Sequence, residues 1–301
     1  MVTEALPATR RLNTLRAVAV TMRPRQWTKN ALVVAAAGAA GALGHDDVPA
    51  RVTLAGVAFC LLASGIYFVN DVRDAREDRL HPRKRSRPVA AGELDPRLAV
   101  ALGSLLMLGG LALCVVVRPL LAVVGLGYLA LTLSYTLLWR HVPVLDVVAI
   151  AGGFVLRAVA GGVAAPVALS RWFIVVVTFA ALLVAAGKRR AELRRTDPVG
   201  LSRRRVLELY TPQLLRLIIA GSAAVALFAY CVWAFAVPSV HGFPWRPLTI
   251  LPFAMCLLRY GTLVRAGAGE APEYLLLRDR PLAFAGLAWL VLFALEVHAA
   301  G

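Results

Sequence analysis

Four carboxylates stand close together in Asn70-Asp71-Val72-Arg73-Asp74-Ala75-Arg76-Glu77-Asp78, directly after an apolar run from Val52 to Val69. If that run stays helical, Asp71, Asp74 and Asp78 fall at i, i+3 and i+7 on one face, with neighbouring Cβ atoms roughly 5–6 Å apart. Oxygen ligands at that spacing suit a hard divalent cation. Mg²⁺ takes one or two carboxylates and leaves its other positions to water and substrate phosphate oxygens, so the face reads as a diphosphate site at the rim of a membrane. The same residues also read as a solvated helix end whose acids offset nearby arginines.

The elements that must position this face are membrane helices. Hydrophobic residues make up 59% of the 301 and charged residues 17%, far more apolar than a soluble domain of that length. The fold class expected is an all-α integral membrane protein. Nine transmembrane helices are expected, over residues 25–44, 52–69, 98–117, 119–139, 143–164, 172–187, 215–237, 246–264 and 281–299. Residues 1–22 read as a basic cytosolic segment rather than a signal peptide, and residues 23–301 as one transmembrane catalytic domain. Most of the 33 lysines and arginines fall before the first span, between the second and third, and from Lys188 to Arg216. The positive-inside rule therefore places the N-terminus and the long loops in the cytosol and the C-terminus outside.

Charge and composition also exclude some functions. The net charge of +16 follows membrane topology and lacks a stacking aromatic platform, so nucleic acid is not an expected partner. Cys60, Cys114, Cys231 and Cys256 lie in apolar runs and read as small core residues. The five histidines have no metal-ligand spacing.

Two connections are long and charged, 71–96 and 188–214, and each follows an apolar run. The first carries His81-Pro82-Arg83-Lys84-Arg85-Ser86-Arg87-Pro88, the second Gly187-Lys188-Arg189-Arg190-Ala191-Glu192-Leu193. Asn70-Asp71-x-x-Asp74-x-x-x-Asp78 with the downstream His-Pro-x-Lys-x-x-Arg-Pro resembles the first aspartate-rich motif of the UbiA-type intramembrane prenyltransferase superfamily. Arg23-Pro24-x-Gln26-Trp27-x-Lys29-Asn30, Leu145-Asp146-Val147, Gly153-Phe154-Val155-Leu156-Arg157 and the Gly187 motif resemble its decaprenyl-phosphate phosphoribosyltransferase branch.

That resemblance implies a UbiA-like helical bundle with a cytosolic-side active-site cavity, Mg²⁺ as cofactor, and residence in the plasma membrane. It also implies a reaction between phosphoribosyl pyrophosphate and a polyprenyl phosphate, releasing pyrophosphate and feeding arabinan synthesis in a cell envelope. It is compatible with a homo-oligomer. The superfamily's aromatic prenyltransferases usually carry a second aspartate-rich motif. Here Lys188, Arg189 and Arg190 stand there with only Glu192 and Asp197 as acids, which suits a donor with a second, metal-free phosphate.

By resemblance, then, Asp71, Asp74 and Asp78 hold the metal and Asn70 orients a carboxylate or water. Lys84, Arg87, Lys188 and Arg189 clamp phosphates, Glu192 belongs to the substrate site, and Lys29 faces the lipid phosphate. Arg140 stands where the branch commonly has lysine, which leaves its role open. Arg157, near mid-span, either faces the cavity and touches phosphate or pairs with an acid from another helix. Tyr135 and Tyr210 read as hydroxyl donors to substrate or as interfacial aromatics. Two other functions stay open: polyprenyl transfer to an aromatic acceptor, and transport of an anionic lipid or metabolite.

Overall fold

The computed structural model describes residues 8–45, 47–82, 84–139, 142–194, 209–236, 245–269, 275 and 278–300. Among these residues there are helices and turns and no strand.

The longest helix carries the acids. With α1 (Ala8–Met22) and α2 (Ala31–Ala39) before it, α3 runs from Val48 to Leu80 over 33 residues. At 1.5 Å per residue that is about 50 Å, well beyond a hydrocarbon layer of about 30 Å. Its last turns, from Asp71 onward, therefore rise out of the apolar slab. The chain then closes back through a buried Val89 and Leu94, and Asp95 caps α4 (Pro96–Val117) by accepting from the N–H groups of Arg97 (2.8 Å) and Leu98 (3.1 Å).

Arg118 alone joins α4 to α5 (Pro119–Ser134); its extended backbone (φ −171°, ψ 132°) is the conformation a following proline favours. A π-helical turn, Tyr135–Trp139, continues α5. After it come α6 (Leu145–Ala164), α7 (Arg171–Arg194), α8 (Pro212–Ala236), a helical turn at Trp245–Leu248, α9 (Ile250–Arg265) and α10 (Arg280–Ala300). α3 packs along α4, α7 along α8, and α6 lies between α2, α5 and α7. The core sits where α2 to α6 meet, around Phe59, Leu62, Leu121 and Tyr128. The basic N-terminal helix is not detached from this body: Ala17 of α1 is buried with Phe68, Ala75, Leu94 and Ala99.

Eight helices among the described residues are long and apolar enough to cross a membrane, against nine expected. The difference lies at residues 25–44, where one continuous helix is replaced by a 3₁₀ helix (Pro24–Asn30), the nine-residue α2 and a 3₁₀ turn (Ala42–Gly44). The breaks have local causes. Arg23 adopts a left-handed backbone (φ 54°) immediately before Pro24, and Gly41 turns the chain at φ 67°. The broken segment still runs antiparallel to α3, since Trp27 bonds Ser64 and Asn30 bonds Cys60.

Its other side presses on α6, where a Cβ at Gly161 would stand 1.9 Å from the Val33 carbonyl oxygen. Only a missing side chain lets these backbones approach so closely. Gly161→Ala should therefore lower the melting temperature in detergent by several degrees, in line with the roughly 1–3 kcal/mol of core overpacking. Gly127→Ala, whose Cβ would meet nothing within 4 Å, should not. Thermal unfolding of the two variants side by side checks this.

Candidate active site

One stripe of α3 is polar from Cys60 to Asp78. Cys60, Ser64, Tyr67, Asp71 and Asp78 recur at helical spacing, and the broken segment docks on them rung by rung. Asn30 Nδ2 donates to Cys60 Sγ (3.1 Å), Trp27 Nε1 to Ser64 Oγ (3.1 Å), and Ser64 Oγ to the Met22 carbonyl (3.1 Å). The top rung is ionic. The Arg23 guanidinium bonds Asp71 and lies 4.8 Å from the centre of the Tyr67 ring.

Asp71 and Asp78 are each 2% exposed, and Arg87 bridges them: its Nη1 stands 2.6 Å from Asp78 Oδ2 and 3.4 Å from Asp71 Oδ1. Asp74 lies half-buried on the same side of the helix. Asn70 Oδ1 is buried with no hydrogen-bond partner. Lys84 sits half-buried in the 3₁₀ turn Lys84–Ser86 above them, its backbone N–H on His81 Nδ1 at 3.3 Å. Among the described residues no three of His, Cys, Asp and Glu form a metal cage. The donors that are present, two buried carboxylates and an orphaned amide oxygen, are hard oxygens. They fit a cation of the Mg²⁺ type, which completes its shell with water and phosphate.

A second group forms where α5, α6, α7 and the segment before α8 meet. Arg189 is 1% exposed, with Nε on Asp146 Oδ2 (2.5 Å), Nη1 on Glu192 Oε2 (2.6 Å) and Nη2 on the Tyr135 hydroxyl (3.2 Å). Tyr210 donates to Asp146, itself 0% exposed, and accepts from the Val144 N–H at 2.8 Å. Burial, then the bond to Asp146, push the Tyr210 hydroxyl well above its ordinary pKa. It is therefore a neutral donor across the physiological range rather than a base.

The two groups are joined through the π-helical turn that carries Tyr135, because Arg73 of α3 donates to the Leu137 carbonyl at 3.3 Å. Arg157 stands deeper, 6% exposed. Its Nε, Nη1 and Nη2 donate to Asn30 Oδ1 (2.7 Å), the Gly153 carbonyl (2.9 Å) and the Tyr128 hydroxyl (2.7 Å). The guanidinium also lies 4.8 Å from the Tyr128 ring centre and 5.5 Å from that of Phe154.

Several sequence expectations thus land together and others do not. Asp71, Asp78 and Arg87 meet as expected of one site, with Asp74, Asn70 and Lys84 nearby. Tyr135, Glu192 and Tyr210 converge on Arg189, so this arginine, expected at a phosphate, is enclosed by two carboxylates and a phenol. Arg157 has no acid partner among the described residues; it fastens the broken segment to α5 and α6. Lys29 and Lys188 are half-buried on the 3₁₀ helix and α7. Arg140 lies outside the described residues. Sequence reasoning assigned no role to Arg23, Asn30, Tyr128 or Asp146. Signals did exist, in an Arg-Pro at the start of a span and an acid in the first turn of another.

These features define a polytopic membrane protein in which the acidic face of α3 and the Arg189–Asp146 ion pair are joined at one end of the bundle. The UbiA prenyltransferase family model matches residues 31–294, and the chain belongs to that family. The Decaprenyl-phosphate phosphoribosyltransferase of Mycolicibacterium smegmatis is 41% identical over 281 residues, covering 89% of this chain and 88% of that protein. The protein of the same name from Corynebacterium glutamicum is 40% identical, covering 92% and 85%. A UbiA homolog from Archaeoglobus fulgidus, solved bound to DMAPP and Mg²⁺, superposes with a TM-score of 0.69 at 15% identity, covering 92% of this chain and 96% of that one.

Arg189→Ala would leave Asp146 charged and buried, a loss of about 3–5 kcal/mol. Its melting temperature should fall sharply with or without substrate. Normal stability with only a raised KM would instead make Arg189 a direct phosphate ligand.

Proposed function

We propose that the protein transfers the 5-phosphoribosyl group of phosphoribosyl pyrophosphate to a polyprenyl phosphate, decaprenyl phosphate in the first instance, in a plasma membrane. The observation that carries this reading is the 40–41% identity, along 89–92% of the chain, to proteins named for that activity. The basic second motif supports it as well: a donor with a diphosphate at one end and a monophosphate at the other needs one acidic and one basic half-site.

Asp71, Asp74 and Asp78 would hold Mg²⁺, with the orphaned Asn70 Oδ1 orienting a carboxylate or a bound water. The cation would supply charge neutralisation for the departing diphosphate. Arg23 and Arg87 satisfy the two buried carboxylates in this structure. With donor bound, their remaining N–H groups turn to diphosphate oxygens, and Lys84 adds a third cation. Lys188 takes the 5-phosphate and Lys29 the acceptor phosphate. Arg189, Glu192, Asp146, Tyr135 and Tyr210 act as a unit that fixes the helix end from which Lys188 reaches.

The C1–O bond to the diphosphate breaks as an acceptor phosphate oxygen bonds to C1 from the opposite face. C1 inverts from α to β, and the products are polyprenylphosphoryl-β-5-phosphoribose and pyrophosphate. The acceptor oxygen is already anionic at neutral pH, so no base is required. Counting the broken segment, the chain crosses nine times, with the N-terminus and active site cytosolic and the C-terminus outside.

Purified protein given Mg²⁺, labelled phosphoribosyl pyrophosphate and decaprenyl phosphate should move label into the lipid phase. Asp71→Asn should cut this turnover by several orders of magnitude while the protein stays folded in detergent, and excess chelator should abolish it. Label that stays aqueous, with activity instead on 4-hydroxybenzoate and a prenyl diphosphate, would replace the proposal with prenyl transfer.

A further inference from the structure

The face of α7 opposite Arg189 carries a different arrangement. Gly187, Arg190 and Arg194 fall at i, i+3 and i+7 along it, and it packs on α9: a Cβ at Gly187 would stand 2.7 Å from the Tyr260 hydroxyl and 3.0 Å from Val264 Cγ2. α8 forms the third wall, with Ile219 against the apolar plug of Leu183, Tyr260 and Val264. Arg216 lies one turn from Ile219 and Arg265 directly follows Val264. The Arg194 guanidinium donates to the Arg265 carbonyl, which fixes the α7 and α9 ends together.

Four arginines from three helices are therefore brought close together, near the end of α7 that also carries Arg189. The described charges that act on Arg190 are all positive, from Arg194, Arg216 and Arg265. Such a cluster is self-repelling unless an anion neutralises it. Beneath it the surface is apolar and open. Ala220 is exposed, a Cβ at Gly261 would meet nothing within 4 Å, and Leu258, two turns below Arg265 on the same stripe, is 71% exposed. A soluble anion would use the basic rim alone. An amphiphile with an anionic head would use both the rim and the apolar surface.

We propose that Arg190, Arg194, Arg216 and Arg265 bind the phosphodiester headgroup of an anionic membrane lipid, whose chain lies along the open α8–α9 surface and whose charge holds the ends of α7, α8 and α9 together. The site is separate from the catalytic group and does not depend on the transferred sugar.

The test uses the full chain in nanodiscs of phosphatidylcholine with and without phosphatidylglycerol, and in phosphatidylcholine with inorganic phosphate. The wild-type melting temperature should rise by several degrees with phosphatidylglycerol and much less with inorganic phosphate. Arg216→Gln/Arg265→Gln, which keeps the bond from Arg194 to the backbone carbonyl of residue 265, should lose that gain, yet be at least as stable as wild type in pure phosphatidylcholine because much of the mutual repulsion has gone. An equal gain from phosphatidylglycerol in the variant overturns the proposal, as does an equal response of wild type to inorganic phosphate. A double variant less stable than wild type in phosphatidylcholine also overturns it, and the single Arg265→Gln variant reads the same sign with a smaller perturbation.

Discussion

Arg189 and Asp146 meet at 2.5 Å with 1% and 0% of their side chains exposed. Either charge alone in that place would carry a penalty of several kcal/mol, so the pair is only tolerable if α6 and α7 hold one register and every remaining polar atom finds a partner. Much of the surrounding geometry follows from this. Glu192 and Tyr135 take up the other guanidinium nitrogens, and Tyr210 takes the second Asp146 oxygen. Tyr135 sits on a π-helical turn, a wider backbone of the kind found at functional sites. Through Leu137 that turn also receives Arg73 from α3. A buried ion pair between two helices thus reaches the acidic face on a third.

The same constraint shapes the broken segment. Unwound backbone at membrane depth is tolerated where protein covers it, and here α3 and α6 cover it on two sides. The rungs to Cys60 and Ser64 and the Arg157 fork on Asn30 hold it in place. A residue at its start, Arg23, is thereby presented to Asp71. The arginines that neutralise Asp71 and Asp78 are each a little over one quarter exposed. Part of each side chain therefore faces outward. The deep arginines, Arg157 and Arg189, are almost wholly enclosed. Cations of the same type therefore divide into a partly exposed pair at the rim and an enclosed pair below.

Local sequence reported the membrane spans well because their signal is composition over about 20 residues, which depends on the bilayer rather than on neighbouring helices. It also reported the shared face of Asp71, Asp74 and Asp78, since helical periodicity is a property of the backbone alone. The break at residues 24–44 was less legible: residues 31–44 are apolar throughout, and only Arg23-Pro24 and Gly41 mark the ends. What permits the break is Gly161, more than a hundred residues away, whose missing side chain admits the Val33 carbonyl.

Residue type in Lys188-Arg189-Arg190 determined that this end of α7 carries positive charge. It did not determine where each charge points. Successive residues on a helix are about 100° apart, so Arg189 turns inward to Asp146 while Arg190 turns towards α9. Which direction is buried depends on the helices that arrive on each side. Sequence by itself therefore decided the family's elements and their chemistry, an apolar bundle with one acidic and one basic motif. Tertiary structure decided the partners: Arg23 rather than solvent for Asp71, Asn30 and Tyr128 rather than an acid for Arg157, and Asp146 for Arg189. The physical reason is that burial, not residue type, sets whether a charge is free to meet a ligand, and burial is created only when distant segments pack.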